Sequence, residues 1–473
     1  MIASVIKNPL FVKQLREEMR SRRVFFLVPI FIAILGTVAI VAIDGSTGTS
    51  FNPLTLAGNA RITMFSFVIT ITILLGLICS VFGAASFTTE REKATYELLE
   101  LTPLSYRDLV LGKFLHAFVI SALILMSSLP IVATLFYMGG ITYIDVALSF
   151  FYLLLFLAVV ILGSICISIV STRTILSIIL SLGLGFALSV GLGIFSASAF
   201  REPSRLGFAL LSPWLVTYQQ IYAPVSLKLA GAEFPVWPFY LILYLLISSL
   251  LLCWARNALD ARKVERNPWT RIVTLILTNF YVGIGLLCMR SYRILKANDA
   301  EDFFQVVMFL IVITLPFFSM GVLTDKDRMR FLRRPLLDSV HPGRLWLNYP
   351  TTGILFLFVL LFTVAMNFCF TGGVPWRAVS GYLSEIALWS VPWLLIFIAI
   401  RLMGGRPRLL FISYLLGTVL CTLISVFWHS RSPSAVSHTI FDFYLTTPNV
   451  LLLTIIGIAG YGIARVKTRR LLR

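Results

Sequence analysis

Charge is scarce in this 473-residue chain. Asp, Glu, Lys and Arg make up 13% of it against 58% hydrophobic residues, whereas an ordinary soluble domain carries about 25% charged residues. That balance excludes a water-soluble globule. Nucleotide-binding chemistry of the P-loop kind is also missing. No GxxxxGK[ST] sequence occurs, and Gly112-Lys113 lacks both the upstream glycine and the following Ser or Thr, so no backbone nest is available to cradle ATP phosphates. The six cysteines, Cys79, Cys166, Cys253, Cys288, Cys369 and Cys421, form no CxxC pair and all fall in apolar runs, where cysteine acts as a small buried hydrophobe. The four histidines, His116, His341, His429 and His438, are scattered with no zinc-ligand spacing. His429 and His438 near Asp442 make a weak cluster, and no Ser-His-Asp arrangement is visible, so neither catalytic nor metal-binding residues are expected.

What the chain has in abundance is long apolar runs. A bilayer crossing takes about 20 apolar residues, and a dozen stretches meet or approach that length: Val24–Ile43, Ile62–Phe87, Phe114–Met138, Val146–Val170, Ile175–Phe200, Phe239–Ala255, Ile272–Met289, Phe303–Leu323, Thr351–Phe370, Ile386–Ile400, Leu409–Trp428 and Asn449–Ala464. The expected fold is all-α, a polytopic membrane protein of about 12 transmembrane helices. The net charge of +18 does not point to nucleic acid, because the basic residues sit mostly in alternate connections, as the positive-inside rule requires. Both termini then face the cytoplasm. The discordant connection is Arg290–Asp302, where Arg290, Arg293 and Lys296 fall on the outer side beside Asp299, Glu301 and Asp302. The first run follows six basic residues and has no small-residue cleavage pattern, which predicts a retained anchor.

Polar segments divide this apolar background. Residues 1–23 contain NPLFVKQLREEMRSRR, in which Asn8 suits an N-cap and Pro9 a first helical position. Val12, Leu15 and Met19 share one face, and the basic residues Lys13, Arg16 and Arg20 lie elsewhere. That pattern fits an interfacial helix with its apolar side in lipid and its basic side at headgroups, or a basic anchor that fixes topology alone. Residues 256–271, RNALDARKVERNPWTR, read as a cytoplasmic linker between a first six-span bundle (24–255) and a second (272–473). The densest polar insert is the loop 88–113. There a helix is expected over Thr89–Leu101, with Glu90 reaching Lys93, Lys93 reaching Glu97, and an apolar stripe of Ala94, Leu98 and Leu101. Pro103 disfavours helix at Thr102, and Ser105 with Asp108 restarts a helix through a capping-box-like pair. The residues alone fit either a compact handle for a soluble partner or a solvated elbow.

Glu90-Arg91-Glu92-Lys93, Thr95, Glu97-Leu98-Leu99, Thr102-Pro103-Leu104-Ser105 and Gly112-Lys113 together resemble the signature that follows the second span in permease subunits of bacterial ABC-2 type ABC transporters. The leading helix is similar to the amino-terminal interfacial helix of the same permeases, and the six-span arrangement extends the likeness to Ala255. The resemblance implies an ATP-driven exporter whose coupling helix seats in a groove of a separate ABC ATPase subunit. Glu90, Arg91, Glu92, Lys93, Glu97, Thr102, Pro103, Leu104 and Ser105 would lie at or near that joint. It further implies no resident cofactor, with ATP and Mg bound by the partner, and a multi-pass location in the cytoplasmic (inner) membrane. Membrane lipids and a second permease or a homodimer partner are further expectations. The second half departs from the family's usual six spans, and the basic loop Thr324–Pro350 reads as a degenerate second coupling element or a headgroup patch.

Other features are read from the residues alone. The connection Arg201–Pro238 fits a re-entrant hairpin or an aromatic-belt loop. Gly185, Ser189 and Gly193 at four-residue spacing predict close helix packing. Asn279 and Asn367, polar groups within spans, predict interhelical hydrogen bonds. No Asp, Glu, Lys or Arg lies in the core of a predicted span, which argues against the competing reading of a twelve-span ion-coupled carrier. A membrane-embedded lipid-modifying enzyme or scaffold would need polar groups gathered at one leaflet, for which the loop Trp428–Pro448 is the one candidate.

Overall fold

The computed structural model describes residues 9–20, 22–44, 53–96, 105–138, 140–171, 173–191, 193, 212–214, 226–229, 232–235, 237–259, 269–291, 359–360, 362–364 and 366–367. The predicted spans beyond 291 other than part of Thr351–Phe370, the segment Leu206–Leu211, most of Arg290–Asp302, and the loops Thr324–Pro350 and Trp428–Pro448 lie outside the described residues. The chain separates into two compact units, Met1–Arg256 and Asn257–Arg473.

The first unit is built from α1 (Pro9–Arg20), α2 (Arg22–Asp44), α3 (Pro53–Glu92), α4 (Tyr106–Met126), α5 (Leu129–Met138), α6 (Tyr143–Val170), α7 (Thr174–Phe186) with a π-helical turn at Ala187–Gly191, and α8 (Trp237–Leu259), in which the boundary between the units falls. Among the described residues five helical stretches have the length and apolarity to cross a membrane: Ala60–Glu92, Tyr106–Ala133, Tyr143–Val170, Thr174–Gly191 and Pro238–Arg256. The third predicted span, Phe114–Met138, is not one uninterrupted helix. It turns at Ser127–Ser128, whose hydroxyls donate back to the Ile124 and Leu125 carbonyls at 2.6 and 2.7 Å, and Pro130 has no N–H with which to continue the ladder. A further departure from an all-helical chain is a small antiparallel hairpin, β1 (Ser226–Leu229) with β2 (Ala232–Pro235), in register Leu227↔Phe234 and Lys228↔Glu233. It occupies part of the connection read as a re-entrant or belt segment.

Helix α3 is the hub. It packs against α2, α4, α5, α6 and α7, and at 40 residues it is about 60 Å long, roughly twice the thickness of a bilayer core. Helix α6 is the most enclosed, with 83% of its apolar stretch buried against 28% for α7 and for α8. It starts at a capping box, in which Thr142 Oγ1 accepts from Asp145 N–H and the Asp145 carboxylate accepts from Thr142 N–H. Apolar side chains such as Phe26, Ile30, Val41, Ile144, Ile175 and Leu245 face outward, as expected where hydrocarbon replaces water.

Close approach of α3 to α6 and α7 depends on small residues. A Cβ at Gly83 would stand 2.6 Å from Ser164 Cβ and 2.9 Å from the Ile161 carbonyl, and one at Gly185 would stand 2.9 Å from the Gly76 carbonyl. Ser189, one turn on, folds its hydroxyl onto the Gly185 carbonyl at 2.6 Å, and the ring of Trp214 occupies the space beside Gly193. Helix α1 is docked on α4. Its half-buried side is Phe11, Gln14, Leu15 and Glu18, while Val12, Lys13, Arg16 and Glu17 are exposed. The face used for packing is thus turned from the expected Val12–Leu15–Met19 stripe; the side chains of Met19 and Arg20 lie outside the described residues.

In the second unit, α9 (Trp269–Ser291) meets the helical residues of 359–367. Asn367 Nδ2 donates to Asn279 Oδ1 at 2.6 Å, and Asn279 Nδ2 donates to Thr363 Oγ1 at 3.0 Å and to the Leu275 carbonyl at 2.8 Å. Asn279 is thus satisfied at both ends of its amide, with Asn367 as the donor to its oxygen across helices.

Gly185→Ala is expected to lower the unfolding midpoint of the full chain in detergent, since overpacking at a backbone contact costs about 1–3 kcal/mol. Gly183→Ala, where nothing lies within 4 Å, is expected to leave it unchanged or raise it through better helix propensity. Equal effects of the two would contradict this packing.

Candidate functional site

The loop end of α3 gathers an ion pair and several hydrogen bonds to neighbouring helices. Its last turns are tied down carbonyl by carbonyl. The Ala84 carbonyl accepts from Thr88 Oγ1 at 2.9 Å and from Ser177 Oγ of α7 at 3.0 Å, while Ser168 Oγ of α6 accepts from Phe87 N–H at 3.0 Å and from Thr88 N–H at 3.2 Å. One further turn brings charge into play.

Lys113, two turns into α4, is 1% exposed at its side chain, and its Nζ lies 2.7 Å from Glu90 Oε1. The same ammonium donates to the Ser86 carbonyl and stands 4.6 Å from the centroid of the Phe87 ring. A buried ammonium is tolerated only when paired and hydrogen-bonded, and a carboxylate, a carbonyl and an aromatic face supply that here. Arg91 turns to α6. Its Nη1 donates to the Ile169 carbonyl at 2.7 Å and to the Ser171 carbonyl at 3.0 Å, placing a cation at a helix C-terminus, the favourable end of the dipole. Its guanidinium also lies 5.2 Å from the Tyr96 ring centroid. Glu92 turns to α7, whose first N–H, at Thr174, donates to Glu92 Oε1 at 2.7 Å. A carboxylate at a helix N-terminus is again the favourable sign, and Arg173, the residue at the cap position, has no side-chain cap of its own. Glu92 caps α7 from another helix.

Beyond Glu92 the backbone leaves the helix. Thr95 N–H donates to the Glu90 carbonyl at 2.9 Å and Ala94 N–H to the Arg91 carbonyl at 3.2 Å, the paired bonds of a Schellman motif. Ala94 takes the left-handed position at φ 55°, where glycine is usual and an alanine costs about 1–2 kcal/mol. Tyr96 then folds back, edge-on to Phe87 at 6.5 Å between centroids. Tyr96 is again helical, and α4 opens with Asp108 N–H donating to Ser105 Oγ at 3.2 Å.

These contacts correct the expected local structure. A single helix over Thr89–Leu101 does not form: the helix carrying Thr89 is the end of α3 and stops at Glu92, because the Schellman turn at Ala94 interrupts it before Tyr96. Ala94 is exposed and belongs to no apolar stripe. Glu90 reaches Lys113 instead of Lys93, which is exposed, since a carboxylate beside a buried ammonium gains more than one beside a solvated lysine. The restart at Ser105 with Asp108 has the expected geometry. Glu97, Thr102, Pro103 and Leu104 lie outside the described residues. Sequence reasoning left Lys113 in the loop and missed Ser168 and Thr174 altogether; a lysine immediately ahead of an apolar run was the available signal for the first, and nothing in the sequence marks the other two.

A helix of double membrane length thus ends in a polar junction beside a loop that bears the Glu-Arg-Glu-Lys and Thr-Pro-Leu-Ser sequences. The sequence profile of the ABC-2 family transporter proteins matches residues 9–317. The chain belongs to the ABC-2 family. No curated protein matches it significantly. The match begins at the first residue of α1 and continues past Ala255 through α9, so the family's territory is larger than the six-span bundle read from the sequence. The chain is accordingly a multi-pass membrane permease of an ABC transporter, a transport component whose family implies association with an ABC ATPase subunit.

Glu90→Leu should destabilise the permease by about 3 kcal/mol, because it strands a buried ammonium, whereas Glu90→Leu with Lys113→Met should recover most of the loss. Thermal unfolding of the purified full chain distinguishes the two. Additive losses in the double variant would show that the pair is not the source of the stability.

Proposed function

We propose that this permease is the membrane subunit of an ATP-driven exporter, moved by a separate ATPase that binds ATP and Mg and seats on the loop 88–113. The observation that carries this reading is the continuity of α3 from one side of the bundle to the loop: 40 helical residues without a break make a stiff lever between a partner surface and the membrane interior. Thr102, Pro103, Leu104 and Ser105, with the exposed Lys93, form the partner-facing part of the loop. The amino-terminal helix, with Lys13, Arg16 and Arg20, lies near the cytoplasmic headgroups of the inner membrane. Both termini face the cytoplasm, and the translocation path forms with a second permease or a second copy of this chain.

An ion-coupled carrier is the competing mechanism. The buried Glu90–Lys113 pair is the kind of intramembrane charge such carriers use, yet it lies two residues from the end of α3, away from the midplane where coupling-ion sites are built. Its role as a brace accounts for its burial.

Isolation of the full chain from its own membrane in mild detergent is expected to bring with it a P-loop ATPase with vanadate-sensitive hydrolysis, and Leu104→Glu to lower that association at least about tenfold, the scale of one interface hot spot. Recovery of the permease with no ATPase under those conditions would contradict the reading.

A further inference from the structure

Glu90, Arg91 and Glu92 are consecutive, and consecutive helical residues point about 100° apart. Three in a row therefore sweep more than half the circumference of α3, and each meets a different neighbour: Lys113 on α4, the carbonyls of Ile169 and Ser171 at the end of α6, and Thr174 N–H at the start of α7. Each contact is charge-assisted, and the two made to helix termini have the favourable dipole sign. The next residues, Lys93, Ala94 and Thr95, are exposed. Exposure does not divide the stretch, since Glu92 is exposed as well; what sets Glu90, Arg91 and Glu92 apart is that the charged group of each is bonded to a different neighbouring helix, whereas Thr95 Oγ1 and the Tyr96 ring turn back onto α3 itself, at the Glu90 carbonyl and the Phe87 ring.

We propose that Glu90, Arg91 and Glu92 are positioning residues that fasten the root of the loop to α4, α6 and α7, so that a displacement of the loop is delivered to three helices together. The source of that displacement rests on the permease reading above, whereas the fastening stands on the geometry alone. This role differs from the one the family resemblance implies, in which the same three residues would touch the ATPase. A partner-facing Glu92 would act through its charge. A fastening Glu92 acts through an oxygen that accepts from Thr174 N–H, an acceptor that glutamine also offers.

Amide hydrogen exchange tests the difference in two stages. With the full permease alone in nanodiscs, Glu92→Ala is expected to speed exchange at the start of α7 about fivefold, the loss of one cap, and Glu92→Gln, which keeps the acceptor oxygen but not its charge, to speed it by clearly less. The second stage uses the permease with its co-isolated ATPase, compared nucleotide-free and vanadate-trapped. There the wild type and Glu92→Gln are expected to show trapping-dependent changes in both α4 and α7, while Glu92→Ala keeps its ATPase, its hydrolysis and the α4 response but loses the α7 response. Loss of the ATPase from Glu92→Gln, or an intact α7 response in Glu92→Ala, would overturn the proposal. If the wild type holds no ATPase, the permease reading fails by itself and the first stage still decides whether the root is fastened.

Discussion

An ammonium removed from water must be answered by charge and by hydrogen bonds, and much of this bundle is arranged around that requirement at Lys113. The lysine fixes where α3 ends relative to α4, because Glu90, the Ser86 carbonyl and the Phe87 ring all belong to the last turns of α3. Once that end is placed, Arg91 and Glu92 fall beside the terminus of α6 and the start of α7. Farther along α3 the work passes to small residues. Gly83 and Gly185 let backbones come within contact of Ser164 and the Gly76 carbonyl, and dispersion over those close surfaces replaces the hydrophobic drive that a lipid solvent does not provide. Polar braces at the loop end and tight seams in the apolar interior thus divide the task of holding five helices to one.

Apolar runs long enough to span are the most legible feature of such a chain. Six of the predicted runs coincide with α2 to α8, because a helix in hydrocarbon must satisfy its own backbone and shows this as an uninterrupted apolar stretch. Small departures have local causes: Pro130 and two serine hydroxyls turn the third run at Ser127–Ser128, and the connection before α8 holds a β-hairpin that no hydropathy pattern announces. The end of α3 was harder to read. Glu90, Lys93 and Glu97 are spaced as helical partners, and local spacing favours one continuous helix. The burial of Lys113, 23 positions away in sequence, outweighs it. Long-range pairing of this kind leaves no periodic trace. The asparagines behaved differently. Asn279 and Asn367 were each readable as groups in need of a partner, though not as partners of one another.

The ABC-2 family membership of residues 9–317 gives this mechanical arrangement a use. A helix about 60 Å long that crosses the membrane and continues to its polar root is suited to carry a push from outside the bilayer, but a lever moves only itself unless its end is coupled to its neighbours. The contacts of Glu90, Arg91 and Glu92 provide that coupling, and the Schellman turn at Ala94 separates the braced root from the exposed part of the loop. The alanine strain tolerated at φ 55° marks how sharply the chain has to turn there.

The central claim is that the root of the loop and the start of α7 move as one body. Spin labels at Thr95 and Arg173, both exposed, report on it directly when pulsed electron paramagnetic resonance is recorded on the permease with its ATPase, nucleotide-free and vanadate-trapped. The account predicts the same narrow distance distribution in both states. A distribution that shifts or broadens on trapping would mean that the root slides over α7, and the claim would fail.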